Sequence, residues 1–186
     1  MRLTIRLAGA GGQGIALAGL ILAEAAALAG RHVACTQAYG PESRGGASRS
    51  DVIISDEPIA YPAARRLDML VALTQVACER SWDALKPTGL AIVDGDRVKP
   101  PSGSVSCFAL PIVETARVVT GSPMPANIVA LGIVCGLTDA APLAALEETV
   151  ARRVPASSLA LNLQALEAGR QLGAARLATT AARGSP

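Results

Sequence analysis

Six residues near the amino terminus, Gly9-Ala10-Gly11-Gly12-Gln13-Gly14, carry the first chemistry legible in this chain. They follow an alternating apolar run (Leu3, Ile5, Leu7) and lead into a long segment rich in alanine and leucine. That order predicts a strand, a glycine turn and a helix N-terminus. Backbone N–H groups and the positive end of the helix dipole then converge on one spot, which suits an anion such as a phosphate. Gly9, Gly11 and Gly14 also satisfy the Gly-x-Gly-x-x-Gly dinucleotide spacing. A nicotinamide dinucleotide needs, in addition, an acidic residue about 20 positions on, at the end of strand two, to hold the ribose. Here the second strand ends Cys35-Thr36-Gln37-Ala38, and Glu24 lies inside the helix. No Gly-Lys-Ser/Thr follows the glycines, which removes the P-loop reading. A tight strand-to-helix connection that holds no ligand remains the alternative.

A second constellation is Ala38-Tyr39-Gly40-Pro41-Glu42-Ser43-Arg44-Gly45-Gly46-Ala47-Ser48. A loop with Tyr39, Glu42, Arg44, Gly45 and Gly46, and Arg49 close behind, is costly to order without a ligand or partner. Arg44 can clamp a carboxylate or phosphate with two parallel N–H bonds, or pair with Glu42 at a solvated turn. The loop follows a strand on the side where open α/β sheets bind ligands.

The remaining candidates lean towards structure. His32 is the only histidine, and no acid or serine stands beside it to make it a general base. Asp94-Gly95-Asp96 reads as a turn at a strand end, Asn127 as a helix N-cap and Asn162 as structural. Cys35, Cys78, Cys107 and Cys135 are far apart, with no Cys-x-x-Cys pair, which argues for reduced, buried thiols rather than a zinc or iron–sulfur site. The chain thus shows no complete catalytic set and no metal cluster. A net charge of +2, with Lys86 and Lys99 as the only lysines and no basic run interleaved with aromatics, gives nucleic-acid binding little support. The N-terminus has no basic region ahead of an apolar run, and no run reaches the ~18 apolar residues of a membrane span. A soluble, cytoplasmic protein is expected.

With 51% hydrophobic residues but only 2% aromatic, the core must be built from alanine, valine, leucine and isoleucine. Such a composition suits helices packed closely on a sheet. The predicted order is strand 2–8, helix from about 12 to 29 stopped by Gly30, strand 31–37 and strand 50–55. A central apolar strand 67–73 follows, then helix 74–85 ended by Pro87-Thr88-Gly89. Strand 90–94, strand 105–110 and helices 112–119, 128–137, 143–150 and 159–172 complete it. The connection between the strands at 31–37 and 50–55 is too short for a helical crossover, so that pair is antiparallel or only loosely paired. The fold expected is a single three-layer α/β/α domain with a mainly parallel sheet, room for a mixed one, and a Rossmann-like first unit. Residues 1–175 form the domain and 176–186 a flexible tail.

Several motifs taken together resemble one family. The glycine turn at 9–14, Tyr39-Gly40-Pro41-Glu42-Ser43-Arg44-Gly45-Gly46 and Asp68-Met69-Leu70-Val71-Ala72-Leu73-Thr74-Gln75 occur in the order found in the γ subunit, or γ domain, of 2-oxoacid:ferredoxin oxidoreductases. Asn127-Ile128-Val129-Ala130-Leu131-Gly132 and Asn162-x-x-Ala165-Leu166-x-x-Gly169 are similar to its later signatures. The likeness runs from about Leu3 to Gly169, and the second motif looks most like the 2-oxoglutarate type. The resemblance implies a complex that decarboxylates a 2-oxoacid oxidatively to an acyl-CoA and passes electrons to ferredoxin. It implies α-, β- and possible δ-type partner subunits holding thiamine diphosphate and iron–sulfur clusters. This chain would be inactive alone and bind no cofactor by itself, yet form part of the CoA-side wall. The residues expected there are Gly9, Gly11, Gly12, Gln13, Gly14, Tyr39, Glu42, Arg44, Gly45 and Gly46. A stand-alone nucleotide-binding oxidoreductase and a non-catalytic interaction subunit are the competing readings.

Overall fold

The computed structural model describes residues 1–39, 46–103 and 105–183, the side chains of 180–183 excepted. The alternating run at the amino terminus forms β1 (Arg2–Ala10), and the alanine-rich segment forms α1 (Ile15–Leu28). Two strands follow, β2 (His32–Tyr39) and β3 (Ala47–Ser55), then β4 (Leu67–Ala72), α2 (Gln75–Trp82), β5 (Leu85–Asp94) and β6 (Ser106–Leu110). The rest is helical: α3 (Ile112–Thr120), α4 (Ala126–Leu137), α5 (Leu143–Arg153), a short 3-10 turn, and α6 (Leu159–Arg183). α6 continues through the segment expected as a tail, 176–183.

The six strands form one sheet in the order β2-β3-β1-β4-β5-β6. β1, β4, β5 and β6 run parallel, while β3 is antiparallel to both β1 and β2. The sheet is therefore mixed. The insertion of β3 departs from a dinucleotide-binding βαβ unit, because β2 does not lie beside β1. β2 and β3 also extend further than the loop reading at 38–48 allowed, with Tyr39 paired to Ser48.

The helix expected over 74–85 stops at Trp82 because Leu85 already pairs with Leu67. The register then jumps, Met69 pairing with Leu90, so Lys86-Pro87-Thr88-Gly89 is looped out within β5. A proline is tolerated at such a bulge. Asp68 holds it, accepting from Lys86 Nζ at 2.6 Å and from the Thr4 amide at 2.9 Å.

Alternation along the strands divides the core. Ile5, Leu7, Val52, Ile54, Met69, Val71 and Ile92 face one large cluster with α1, α3, α4, α5 and α6. Ala8, Leu70, Ala72, Ala91 and Val93 face a smaller one with Ala77 and Cys78 of α2. The three layers are thus unequal, with α2 the one helix on its side among the described residues. On that same side Arg6 of β1 and Asp51 of β3 form a buried two-point ion pair, at 2.6 and 2.8 Å.

α4 and α6 cross at close range through glycines spaced by four on each. A Cβ built on Gly169 would stand 2.0 Å from the Val129 carbonyl oxygen, and one on Gly132 would stand 2.0 Å from that of Leu166. Only glycine lets the two backbones approach so closely. This packing buries α4 from Ala126 to Val134 and fixes its N-terminus against the turn at 11–14.

Candidate functional site

β1 delivers the chain to the C-terminal edge of the sheet, where Gly11-Gly12-Gln13-Gly14 turns it into α1. Gly12 (φ 89°) and Gly14 (φ 69°) both lie in the left-handed region that disfavours side chains. Gln13 folds back, its Oε1 accepting from the Ala10 amide at 2.7 Å. Gly9 has to be glycine for this, since a Cβ there would sit 2.5 Å from that same oxygen. The Gly11 amide donates to the Gly46 carbonyl at 2.8 Å, which ties the turn to the end of the second motif.

Gly14 occupies the N-cap position of α1, where no side chain caps the helix. The amides of the first turn are left as donors, which is the arrangement that binds anions at a helix N-terminus. The Gly14 carbonyl accepts from the Ala18 amide at 2.9 Å and from Asn127 Nδ2 at 3.1 Å. Asn127 is therefore not a cap. Pro125 precedes its helix, and the asparagine side chain reaches back to hold the turn. Asn162 keeps a structural contact, donating to the Ser158 carbonyl at 2.9 Å.

Gly12, Gln13 and Gly14 line one side of a groove of about 360 Å³. Its other walls are mostly apolar: Leu17 of α1, Met124, Pro125 and Ile128 around the start of α4, and Val154 and Leu161 before and within α6. The groove joins a small polar corner to an apolar trough, a shape suited to a ligand with a phosphate at one end of a less polar chain. The sequence pointed to the corner but not to the trough, whose walls other than Leu17 come from segments more than 100 residues downstream. Asn127 and Asn162, both quoted among the motifs, were the available signal.

Tyr39 is exposed, and its hydroxyl donates to Gln37 Oε1 at 3.2 Å. Register places it level with Gly9 across β3, so roughly 10 Å separates the two by strand spacing. The structure thus gathers Gly9, Gly11, Gly12, Gln13 and Gly14 in one turn and bonds Gly46 to it. Tyr39 stands at the same sheet edge, beside a second cavity of about 250 Å³ on the α2 side. Glu42, Arg44 and Gly45 lie outside the described residues.

The groups set aside in the sequence take structural places. His32 is exposed at the far end of β2. Asp94 is fully buried, its Oδ2 accepting from the Val113 amide at 2.7 Å and its Oδ1 from the Asp96 amide at 3.2 Å, so it ties the turn to the start of α3. Burial, aided by neighbouring Cys107 and Glu79, pushes the Cys78 thiol up to about 11. Burial raises Cys107 and Cys135 as well. These three thiols stay protonated near neutral pH and are poor nucleophiles. Among the described residues no group of three or more His, Cys, Asp or Glu is placed to hold a metal ion, and no helix is long and apolar enough to cross a membrane.

Comparison with known proteins follows the same outline. The family model for pyruvate ferredoxin/flavodoxin oxidoreductase matches residues 4–172. The chain is 43% identical over 176 residues to the 2-oxoglutarate synthase subunit KorC of Methanocaldococcus jannaschii, covering 92% of this chain and 94% of that one. It resembles the crystal structure of the γ subunit of a keto/oxoacid ferredoxin oxidoreductase from Geobacter sulfurreducens, with a TM-score of 0.83 and 43% identity over 93% of this chain and 99% of that one. It also superposes, with a TM-score of 0.85 and 29% identity, on the 2-oxoglutarate:ferredoxin oxidoreductase of Magnetococcus marinus. That structure holds 2-oxoglutarate, coenzyme A and succinyl-CoA, and the likeness covers 94% of this chain but 31% of the larger one.

Proposed function

The chain belongs to the pyruvate ferredoxin/flavodoxin oxidoreductase family, and from that premise we propose that it is the γ-type subunit of a multi-subunit 2-oxoacid:ferredoxin oxidoreductase. The complex would convert a 2-oxoacid and CoA to acyl-CoA and CO₂, with the electrons passing to ferredoxin. 2-Oxoglutarate is the substrate favoured, because relatives named as subunits of 2-oxoglutarate synthase align with this chain at 41–43% identity over 92% of its length. Thiamine diphosphate and iron–sulfur clusters belong, in this reading, to the α-, β- or δ-type subunits. A cytoplasmic location follows from the same assignment.

The task of this chain is to bind and orient CoA. The observation that carries this is the uncapped α1 N-terminus opening on a groove with an apolar trough. The free amides would take a CoA phosphate, with Tyr39, Glu42, Arg44, Gly45 and Gly46 as the further residues proposed to contact CoA. A dinucleotide-binding oxidoreductase is disfavoured by topology, since β3 separates the end of β2 from the glycine turn and β2 itself, His32–Tyr39, carries no acid. The reading is tested by titrating CoA into the assembled complex with Gly12→Ala or Arg44→Ala in this chain. Gly12 is suitable because an added Cβ meets nothing within 4 Å and would project into open space. CoA binding several-fold weaker is expected, and an unchanged CoA constant in both variants would overturn it.

A further inference from the structure

On the opposite side of the sheet from α1, under α2, lies the cavity of about 250 Å³ beside Tyr39. Its floor is Ala8 and Ala38, two small side chains whose register puts them level with Arg49 of β3, all three facing α2. Its far wall is α2 itself, through Ala77, Arg80 and Ser81. The three alanines leave the space that larger residues would fill.

Three polar groups line it that have no partner among the described residues. Ser81 is only 4% exposed as a residue, and its hydroxyl, with no hydrogen bond among the described residues, is the accessible part of it that lines the cavity. Helix hydroxyls elsewhere bond to the carbonyl one turn back, as those of Thr120 and Thr149 do, which leaves the Ser81 hydroxyl available to a ligand. Arg49 and Arg80 likewise have neither an acidic partner nor a hydrogen bond among the described residues. Other arginines of the chain do find carboxylates: Arg6, Arg31, Arg117, Arg152, Arg153 and Arg170 are all paired.

We infer that this cavity is an oxyanion site that takes a phosphoryl group between Arg49, Arg80 and Ser81. The two guanidiniums come from different elements, one on β3 and one on α2, and line the same cavity as the hydroxyl. A planar carboxylate is satisfied by one guanidinium in its own plane, whereas a phosphoryl group presents oxygens in three directions and can engage all three donors. The volume lies below the ~300–1,000 Å³ typical of whole-ligand pockets, so it fits a free phosphate or the phosphoryl end of a small molecule. The location is the crevice where α1 and α2 leave adjacent parallel strands β1 and β4 on opposite faces, the place where open α/β sheets collect ligands.

The test is an NMR titration of the full chain with inorganic phosphate, with glycerol 3-phosphate and with 2-oxoglutarate. The first two arms separate free phosphate from a phosphomonoester as the ligand, and the third is the carboxylate control. Saturable shifts centred on Ser81 and Arg49, tighter for a phosphoryl ligand than for 2-oxoglutarate, are expected. Arg49→Gln and Arg80→Gln should each weaken them about tenfold, the loss of one charge-assisted contact. Both arginines are exposed, so these variants keep their fold, which circular dichroism checks. Absence of saturable phosphate binding, tighter binding of 2-oxoglutarate, or affinities unchanged in both variants would each overturn the inference. None of these readouts uses CoA, so the result is independent of the role proposed for the glycine turn.

Discussion

Replacing Gly14 by alanine should cost far more than replacing Gly12, although both glycines sit at positive φ. At Gly12 the penalty is conformational only, about 1–2 kcal/mol for a side chain in the left-handed region, because a Cβ there meets nothing within 4 Å. At Gly14 the same penalty applies, and the Cβ would also stand 2.5 Å from Asn127 Nδ2. Asn127 is buried and must swing away, which breaks its bond to the Gly14 carbonyl and strands its amide, adding about 1–3 kcal/mol. Gly14→Ala should therefore destabilise the chain by about 2–5 kcal/mol and Gly12→Ala by about 1–2. In thermal unfolding this corresponds to roughly 2–4 °C per kcal/mol for a chain of this size. The double variant Gly14→Ala/Asn127→Ala isolates the contact. With the asparagine gone the alanine has room, so the double variant should be about 1–2 kcal/mol more stable than the sum of the single effects predicts. Additivity within about 0.5 kcal/mol would refute the claim that Asn127 braces the turn.

The α4–α6 crossing gives a second expectation. Gly169→Ala, which would gain about 1 kcal/mol in a solvent-exposed helix, should instead destabilise by at least about 2 kcal/mol in urea unfolding, since its Cβ meets the Val129 backbone rather than a movable side chain. A pH-dependent expectation concerns Cys78. With its thiol held near 11 against an ordinary 9.0, Cys78→Ala should lessen the loss of folding stability between about pH 9 and 11, as urea unfolding across that range would show. By the same linkage, the folded state loses stability as pH rises from about 9 towards about 11, because only the unfolded chain releases this proton easily over that window.

The parts legible in the sequence are those written locally. Leu3, Ile5 and Leu7 alternate as a half-buried strand must, Gly30 takes the positive φ that stops α1, and 67–73 is apolar enough to lie inside the sheet. What escaped depends on pairing across long separations. The short connection after 31–37 already allowed β3 to run antiparallel to β2, as it does. Nothing near Ala47, however, announces that β3 will lie between β2 and β1, and that insertion decides how far the end of β2 lies from the glycine turn. Leu85 reads as the last turn of a helix until Leu67 is placed beside it. The candidate site divides in the same way. The turn at 9–14 is visible as a motif, but its trough requires Met124, Val154 and Leu161, and its brace spans 113 residues from Gly14 to Asn127. The α2-side cavity is built from positions 8, 38, 49, 77, 80 and 81, which share no spacing a motif could capture.

These placements bear on what kind of ligand the edge of the sheet can recognise. In a dinucleotide-binding unit the second strand lies beside the first and brings an acid to the ribose. Here β3 stands between them, so the glycine turn keeps the anion-facing amides of α1 while the sugar-reading position is missing. In the reading proposed above, recognition at this edge is a matter of phosphate charge and apolar length. The two sides of the sheet supply those features with different chemistry. On the α1 side, uncharged backbone donors meet an apolar trough. On the α2 side, Arg49 and Arg80 offer full charges over an alanine floor. Substitutions of the two kinds should therefore separate in salt. The guanidinium contacts carry full charges at an exposed mouth and weaken as ionic strength rises, whereas the contribution of the trough, being hydrophobic, does not.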